Sequence, residues 1–361
     1  LKRLLLLGGG HAHVHVLQAL AQQPLPATEV LLLTPYPRQM YSGMVPGFVA
    51  GHYEADACAI PLRPLAERAG VRLIEGAAES VDAQRRTVGW RDGSLAYDVL
   101  SLDIGAVMDR DTIPGAREHA LFVRPIEQFA ALWLAVRDLA AQRALSVALI
   151  GGGAAGVELA MSVQYALGQN ARVTLVTGGP PPLHSHPPAV QQRARRALKA
   201  RGITVLQESC VEITAQHVLL GSGTRLQCDA PIMAVGASAP RWLAGCGLAL
   251  DAQGFVTTGP TLQSVSHPEV FAAGDVATRS DAPHPRSGVY AVRAGAPLAL
   301  NLRRFVAGGA LQPYAPQRRS LNLLACGERS AIASWGPWTA QGRWVWWWKD
   351  RIDRGFVARY R

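Results

Sequence analysis

The apolar residues of this chain gather in short unbroken runs that stop at glycine. Leu4 to Leu7 runs into GGG, Val147 to Ile150 into GGG again, and Val270 to Ala273 into Gly274-Asp275. Such runs are too short for helices and lack the alternation of half-exposed strands, so each predicts a strand buried on both faces. Helical patterning resumes after the first two, from Val14 and from Gly156. The stretch QQRARRALKARG reads as a helix with Arg193, Arg195, Arg196 and Lys199 toward solvent. Near the C-terminal end Val345, Trp348, Ile352, Phe356 and Tyr360 fall on one stripe at helical spacing. Buried strands alternating with helices predict an α/β fold built on parallel sheets.

Two of the strand-to-helix joints share a spacing. Gly151-x-Gly153-x-x-Gly156 has the three glycines of a dinucleotide-binding turn: one for the bend, one for backbone approach to a pyrophosphate, one for close packing of helix on strand. Free amides at the helix start, that of Ala155 among them, and the helix dipole favour phosphate there. The first joint keeps Gly8 and Gly10 but has His13 in the third place. Its phosphate-binding part rests on those glycines and on the amides of His11 and Ala12, so it survives, with a somewhat wider turn expected. Two such turns predict two Rossmann-like domains and two dinucleotides. The following strands end in Thr34 and Thr177, where an acidic residue usually takes the ribose hydroxyls. Threonine holds one hydroxyl and cannot clamp two, so NADH and NADPH are both left open.

Composition narrows the class. With 361 residues, 36 of them glycine, 49% hydrophobic and 17% charged, the chain is globular and turn-rich. No apolar run approaches the roughly 18 to 20 residues of a membrane span, and the early leucine run, ending in glycines without a cleavage site, reads as strand and not as leader. Cys58, Cys210, Cys228, Cys246 and Cys326 form no CxxC pair and read as free thiols of a reducing cytoplasm. On a helix His13 points away from His11 and His15, which argues against a metal site. The net charge of +10 is spread over scattered arginines, a solvated surface and not a nucleic-acid site.

GGGAAGVELA, the AVGA segment at Ala234 to Ala237 and AAGDVA stand in the order found in the pyridine nucleotide-disulfide oxidoreductase superfamily, and the chain resembles its type II NADH dehydrogenase branch. GGGHAHVHVL, YSGMVPGFVAGHY, GVYAVRAGAPLALNL and WVWWWKDRIDRGFVARY also resemble the flavoprotein module that precedes selenophosphate synthetase in some fused bacterial proteins. The resemblance covers nearly the whole chain. It implies FAD at the first turn, with Asp275 after Gly274 on the ribityl chain, and a nicotinamide dinucleotide at the second, where Gly236 closes the site. It implies a discontinuous FAD domain at 1–115 and 255–315, an NAD(P) domain at 116–254 between them, and a C-terminal segment at 316–361. The proline- and glycine-bearing DTIPGAREHALFVRP reads as linker at the first crossing.

The same resemblance places Gly105, in SLDIGA, at the family's ATG turn, with Asp103 departing from a small residue. It matches Glu158, in GVELA, to a glutamate held near nicotinamide and flavin; the other reading is a helix residue favoured by the dipole. Disulfide reductases carry a CxxxxC pair where this chain has RQMYSGMVPGFVAGHY, with Met40, Met44 and Phe48, so no redox disulfide is expected. The expected activity is electron transfer from NADH or NADPH through FAD to a quinone-type acceptor. The alternatives are sulfide or selenide oxidation, for which only Cys58 and Cys326 lie in suitable regions, and a non-catalytic flavin-binding partner of selenium metabolism. Residues 343–361 mix tryptophan with arginine. They read either as a peripheral anchor on the inner face of the cell membrane or as a helix docked on the FAD domain or on the second subunit of a homodimer.

Overall fold

The computed structural model describes residues 1–361, and its two principal sheets follow one plan. Strand β1 (Lys2–Leu7) leads through α1 (His11–Gln22) to β2 (Thr28–Thr34), β3 (Arg72–Glu75) and β4 (Val99–Leu102). Then come β5 (Leu121–Phe122), α2 (Ile126–Gln142), β6 (Leu145–Ile150), α3 (Ala154–Leu167), β7 (Ala171–Val176), α4 (Pro188–Ala200), β8 (Thr204–Leu206) and β9 (Ala230–Met233). The chain returns to the first sheet with β10 (Val270–Ala272). The strand orders are β10-β4-β1-β2-β3 and β5-β9-β6-β7-β8, and every pairing in both is parallel. Strands β1 to β4 therefore match β6 to β9 place for place. Leu7 sits beside Leu102 in one sheet as Ile150 sits beside Met233 in the other.

The central strands are buried on both faces, as unbroken apolar runs require: Leu5, Leu6, Leu7, Leu31 and Leu32 have no exposed surface. Each such leucine contributes about 1.5–3 kcal/mol by burial. Helix α1 starts at His11, earlier than the apolar pattern from Val14 suggests, because Gly10 takes an extended N-cap conformation. In α4 the side chains of Arg195, Arg196 and Lys199 are exposed and Arg193 is half-buried. The stretch read as linker holds a short helical turn (Ala116–His119) and the edge strand β5. Helix α5 (Gly288–Val306) lies along α1, where Gly295 leaves room for His15 and the Ala12 carbonyl.

The C-terminal segment forms an antiparallel sheet of β11 (Asn322–Cys326), β12 (Glu328–Trp335) and β13 (Trp338–Gly342), followed by α6 (Arg343–Arg359). The face of α6 that docks on the body carries Val345, Trp346, Lys349, Asp353, Phe356 and Val357, and Tyr360 follows it inward. The stripe read from sequence is corrected at two positions: Trp348 and Ile352 are 38% and 42% exposed. The reason is polar. Lys349 Nζ donates to the Gly43 carbonyl (2.5 Å) and to Asp353 (2.6 Å), so two charged residues satisfy each other inside and leave Trp348 and Ile352 on the outward side. No helix is long and apolar enough to cross a membrane.

Candidate functional site

The matching joints can be compared atom by atom. The Gly8 N–H donates to Leu33 and the Asp103 N–H to Leu7; at the second joint Gly151 donates to Val176 and Ala234 to Ile150, all at 2.8 Å. Gly8 (φ +85°) and Gly151 (φ +132°) have left-handed or otherwise glycine-only backbone, and a side chain on either would run into the carbonyl of Asp103 or Ala234. Asp103 is thus the counterpart of Ala234, Ser101 of Ile232, Gly105 of Gly236, and His13 of Gly156.

Those counterparts differ in chemistry. At Gly156 a Cβ would strike the Gly151 carbonyl. His13 solves the same crowding with a hydrogen bond: its Nδ1 lies 2.6 Å from the Gly8 carbonyl. A carbonyl only accepts, so Nδ1 carries the proton and Nε2 accepts from the Ser101 hydroxyl (2.8 Å). Burial keeps the imidazole neutral, with its pKa lowered to about 4. One Asp103 oxygen accepts the N–H groups of both Ala12 (2.8 Å) and His13 (2.9 Å), whereas no hydrogen bond engages the matching amides of Ala155 and Gly156. Burial lifts the Asp103 pKa to about 6 against those two bonds.

A cavity of about 500 Å³ opens on the first joint. Its wall includes Gly8, Gly10, His11, Thr34, Gly105 and Asp275, while Ala12 is fully buried behind it. Gly274 (φ +72°) turns the chain beside the Asp103 carboxyl. His11 Nε2 is buried without a partner, and its ring stands edge-on to Tyr41 at 5.5 Å. Arg124 Nη1 donates to Asp275 at 2.8 Å. Glu127, at the start of α2, also lines the cavity, accepts weakly from the Met40 N–H (3.4 Å), and has its pKa raised by burial. Sequence reasoning missed Arg124 and Glu127 because the first lies within, and the second just after, a segment read as linker. Asp103 was visible only as a departure, since its partners lie about ninety residues away.

The second joint has its own cavity, about 510 Å³, with Gly151, Gly153, Ala155, Thr177 and Gly236 on its wall. Gly156 is buried under the helix start. Glu158 lines neither cavity; it accepts the Ala325 N–H of β11 at 2.7 Å, and burial, opposed by Lys349, pushes its pKa to about 7. Cys58 and Cys326 are buried outside both cavities, each thiol pushed up to about 12 by burial.

Two glycine turns of one design, each opening on a cavity at the carboxyl end of a parallel sheet, define a protein of the two-Rossmann-domain, dinucleotide-binding fold class. The cradle suits FAD at the first: Gly8, Gly10 and His11 line the cavity, the His11 amide is unengaged, and a buried nitrogen of the His11 ring has no partner. The chain belongs to the pyridine nucleotide-disulphide oxidoreductase family, whose model matches residues 2–295. It is 26% identical over 294 residues to the demethylphylloquinone reductase NdbB of Synechocystis, covering 78% of this chain and 73% of that one. It is 23% identical over 289 residues to the NADH dehydrogenase-like protein YutJ of Bacillus subtilis, covering 78% and 79%. The sulfide:quinone oxidoreductase of Aquifex aeolicus superposes with a TM-score of 0.84 over 100% of this chain and 92% of that one, at 19% identity, which establishes a common fold. NDH2 of Plasmodium falciparum, solved with NADH, gives 0.77 over 99% and 97%, at 14% identity. The protein is a flavin-dependent NAD(P)H oxidoreductase of the type II NADH dehydrogenase-like branch.

Proposed function

We propose that this oxidoreductase holds FAD along the first turn and NADH or NADPH at the second, and delivers the electrons to a quinone without a redox disulfide. FAD, when bound, supplies the two-electron carrier; the chain supplies placement and protons. In this reading the His11 amide and the bare backbone of Gly8 and Gly10 meet the pyrophosphate, with Ala12 behind them. Thr34 takes one ribose hydroxyl, Gly105 and Gly274 leave space, and Asp275, held by Arg124, accepts from the ribityl hydroxyls. At the second turn Gly151, Gly153, Ala155, Gly156 and Gly236 present backbone to the nicotinamide dinucleotide and Thr177 takes a hydroxyl. Glu158, with its pKa raised to about 7, holds a proton near neutrality.

The observation that carries the direct route is the wall of the first cavity, where Arg38, Gln39, Met40 and Ser42 stand and no cysteine does. Similarity to a demethylphylloquinone reductase favours a quinone as acceptor. The thiol route to sulfide or selenide oxidation loses its candidates, because Cys58 and Cys326 are buried elsewhere. The outward tryptophans of α6 favour peripheral attachment to a membrane that holds the quinone. Anaerobic mixing with NADH and then NADPH is expected to bleach the oxidised-flavin absorbance, and a soluble quinone to restore it. If neither nicotinamide reduces the flavin, the reading is overturned.

A further inference from the structure

The two turns form an internal comparison. At the end of β9 Ala234 leaves the amides of Ala155 and Gly156 unengaged; at the end of β4 Asp103 engages both equivalent amides with a carboxylate that is 3% exposed. The first turn thus carries a fixed acidic group on the same helix terminus that an entering pyrophosphate needs. We propose that Asp103 takes up a proton from solvent when the dinucleotide enters the first turn, so that cofactor loading is coupled to that proton. The inference rests on the assignment of FAD to this turn. As a neutral acid Asp103 keeps an oxygen that accepts from Ala12 and His13, and its new O–H is a donor in place of a repelling charge.

The surrounding groups leave Asp103 uncompensated. From α1 come His13, neutral and bonded to Gly8 and Ser101, and His11, whose pKa is lowered by burial. From the turn after β10 comes Asp275, a second carboxylate, and ahead of α2 comes Arg124, already paired with it. Burial has raised the Asp103 pKa to about 6 before any ligand arrives, and a second anion raises it further. Above about pH 6 the loaded protein then holds one proton more than the free protein. Affinity for FAD is flat below that pH and weakens above it, approaching about tenfold per pH unit.

The test is titration of the full-length chain, freed of flavin, with FAD from about pH 5.5 to about 8.5, read by flavin fluorescence. Calorimetry in two buffers of different ionisation heat counts the protons. The wild type is expected to lose at least about tenfold in affinity across the range and to take up close to one proton, and Asp103→Asn to show neither change. A flat wild-type profile, no proton uptake, or the same slope in Asp103→Asn overturns the proposal. Asp103→Ser serves as the second variant if Asn fails to fold, since it too removes the titrating carboxyl. Failure of FAD to bind at any pH overturns the assignment of the turn itself, and the proton coupling with it.

Discussion

His13 is buried, neutral and bonded at both ring nitrogens, and each property has an energetic sign. Its pKa falls from 6.5 unfolded to about 4 folded, so its contribution is present above pH 6.5 and is lost as the pH falls toward 4. Between pH 7 and pH 5 the loss is about 2 kcal/mol. Asp103 works in the opposite sense: its pKa is raised, so its destabilising effect grows as pH rises through about 6. The effect of His13 must therefore be read as a difference. Urea unfolding at both pH values is expected to give His13→Gln a shallower loss on acidification than the wild type by about 2 kcal/mol; equal slopes would remove the argument. Glu158 belongs to the same scale. With its pKa near 7, Glu158→Gln is expected to abolish an inflection near neutrality in the rate of flavin reoxidation by quinone and to slow that step about tenfold or more. An unchanged profile would leave the carboxylate as an acceptor for Ala325 alone. The sequence made His13 and Asp103 visible as odd residues, but Ser101 and the amides of α1 that explain them are distant in the chain.

Helix α6 and its docking face test how far periodicity can be trusted. Val345, Phe356 and Tyr360 were legible as inward residues because apolar side chains at helical spacing seek a common side. Trp348 and Ile352 were not, because a pattern of apolar residues cannot foresee a buried ion pair. Lys349 and Asp353, one helical turn apart, occupy the inward positions, with the Tyr41 hydroxyl facing the carboxylate. Removing one partner leaves a buried charge unmatched. Lys349→Met is expected to destabilise the chain by about 3–5 kcal/mol, with part of the loss recovered on acidification because Asp353, already raised by burial, then takes a proton. Lys349→Met combined with Asp353→Leu is expected to regain most of the stability in thermal unfolding and the wild-type resistance of α6 to proteolysis. If the double variant is no better than the single one, the pair is not what seats the helix. The strands were legible for the opposite reason: β1, β6 and β10 are buried on both faces, so hydrophobicity alone marks them. The two-residue edge strand β5 lies among prolines and glycines and gives no such signal.

At the scale of the whole molecule, seating Lys349 and Asp353 inward leaves an aromatic face outside. Trp344 and Trp347 on α6 are 55% and 63% exposed, Trp335 and Trp338 on the adjoining hairpin 53% and 44%, and Trp338 and Trp344 stand 6.4 Å apart. Arg343, Arg351 and Arg359 are exposed on the same helix, in a chain whose net charge is +10. Tryptophan favours the headgroup level of a bilayer, and each basic residue near an anionic surface adds about 1 kcal/mol. The two contributions separate experimentally, because salt screens the second and not the first. Sedimentation with phosphatidylglycerol vesicles is expected to capture the protein at low salt, with binding reduced at high salt and much weaker on phosphatidylcholine. Substituting Trp344 and Trp347 together by serine is expected to weaken capture about tenfold while leaving flavin reduction by NADH in solution unchanged, since neither residue lines a cavity. Equal capture by neutral and anionic vesicles, or indifference to the substitutions, would deny the membrane reading. A molecular mass that doubles with concentration in the wild type and not in the variant would assign the same face to a second copy of the chain. Electron delivery would then have to reach a quinone from solution and not from the bilayer.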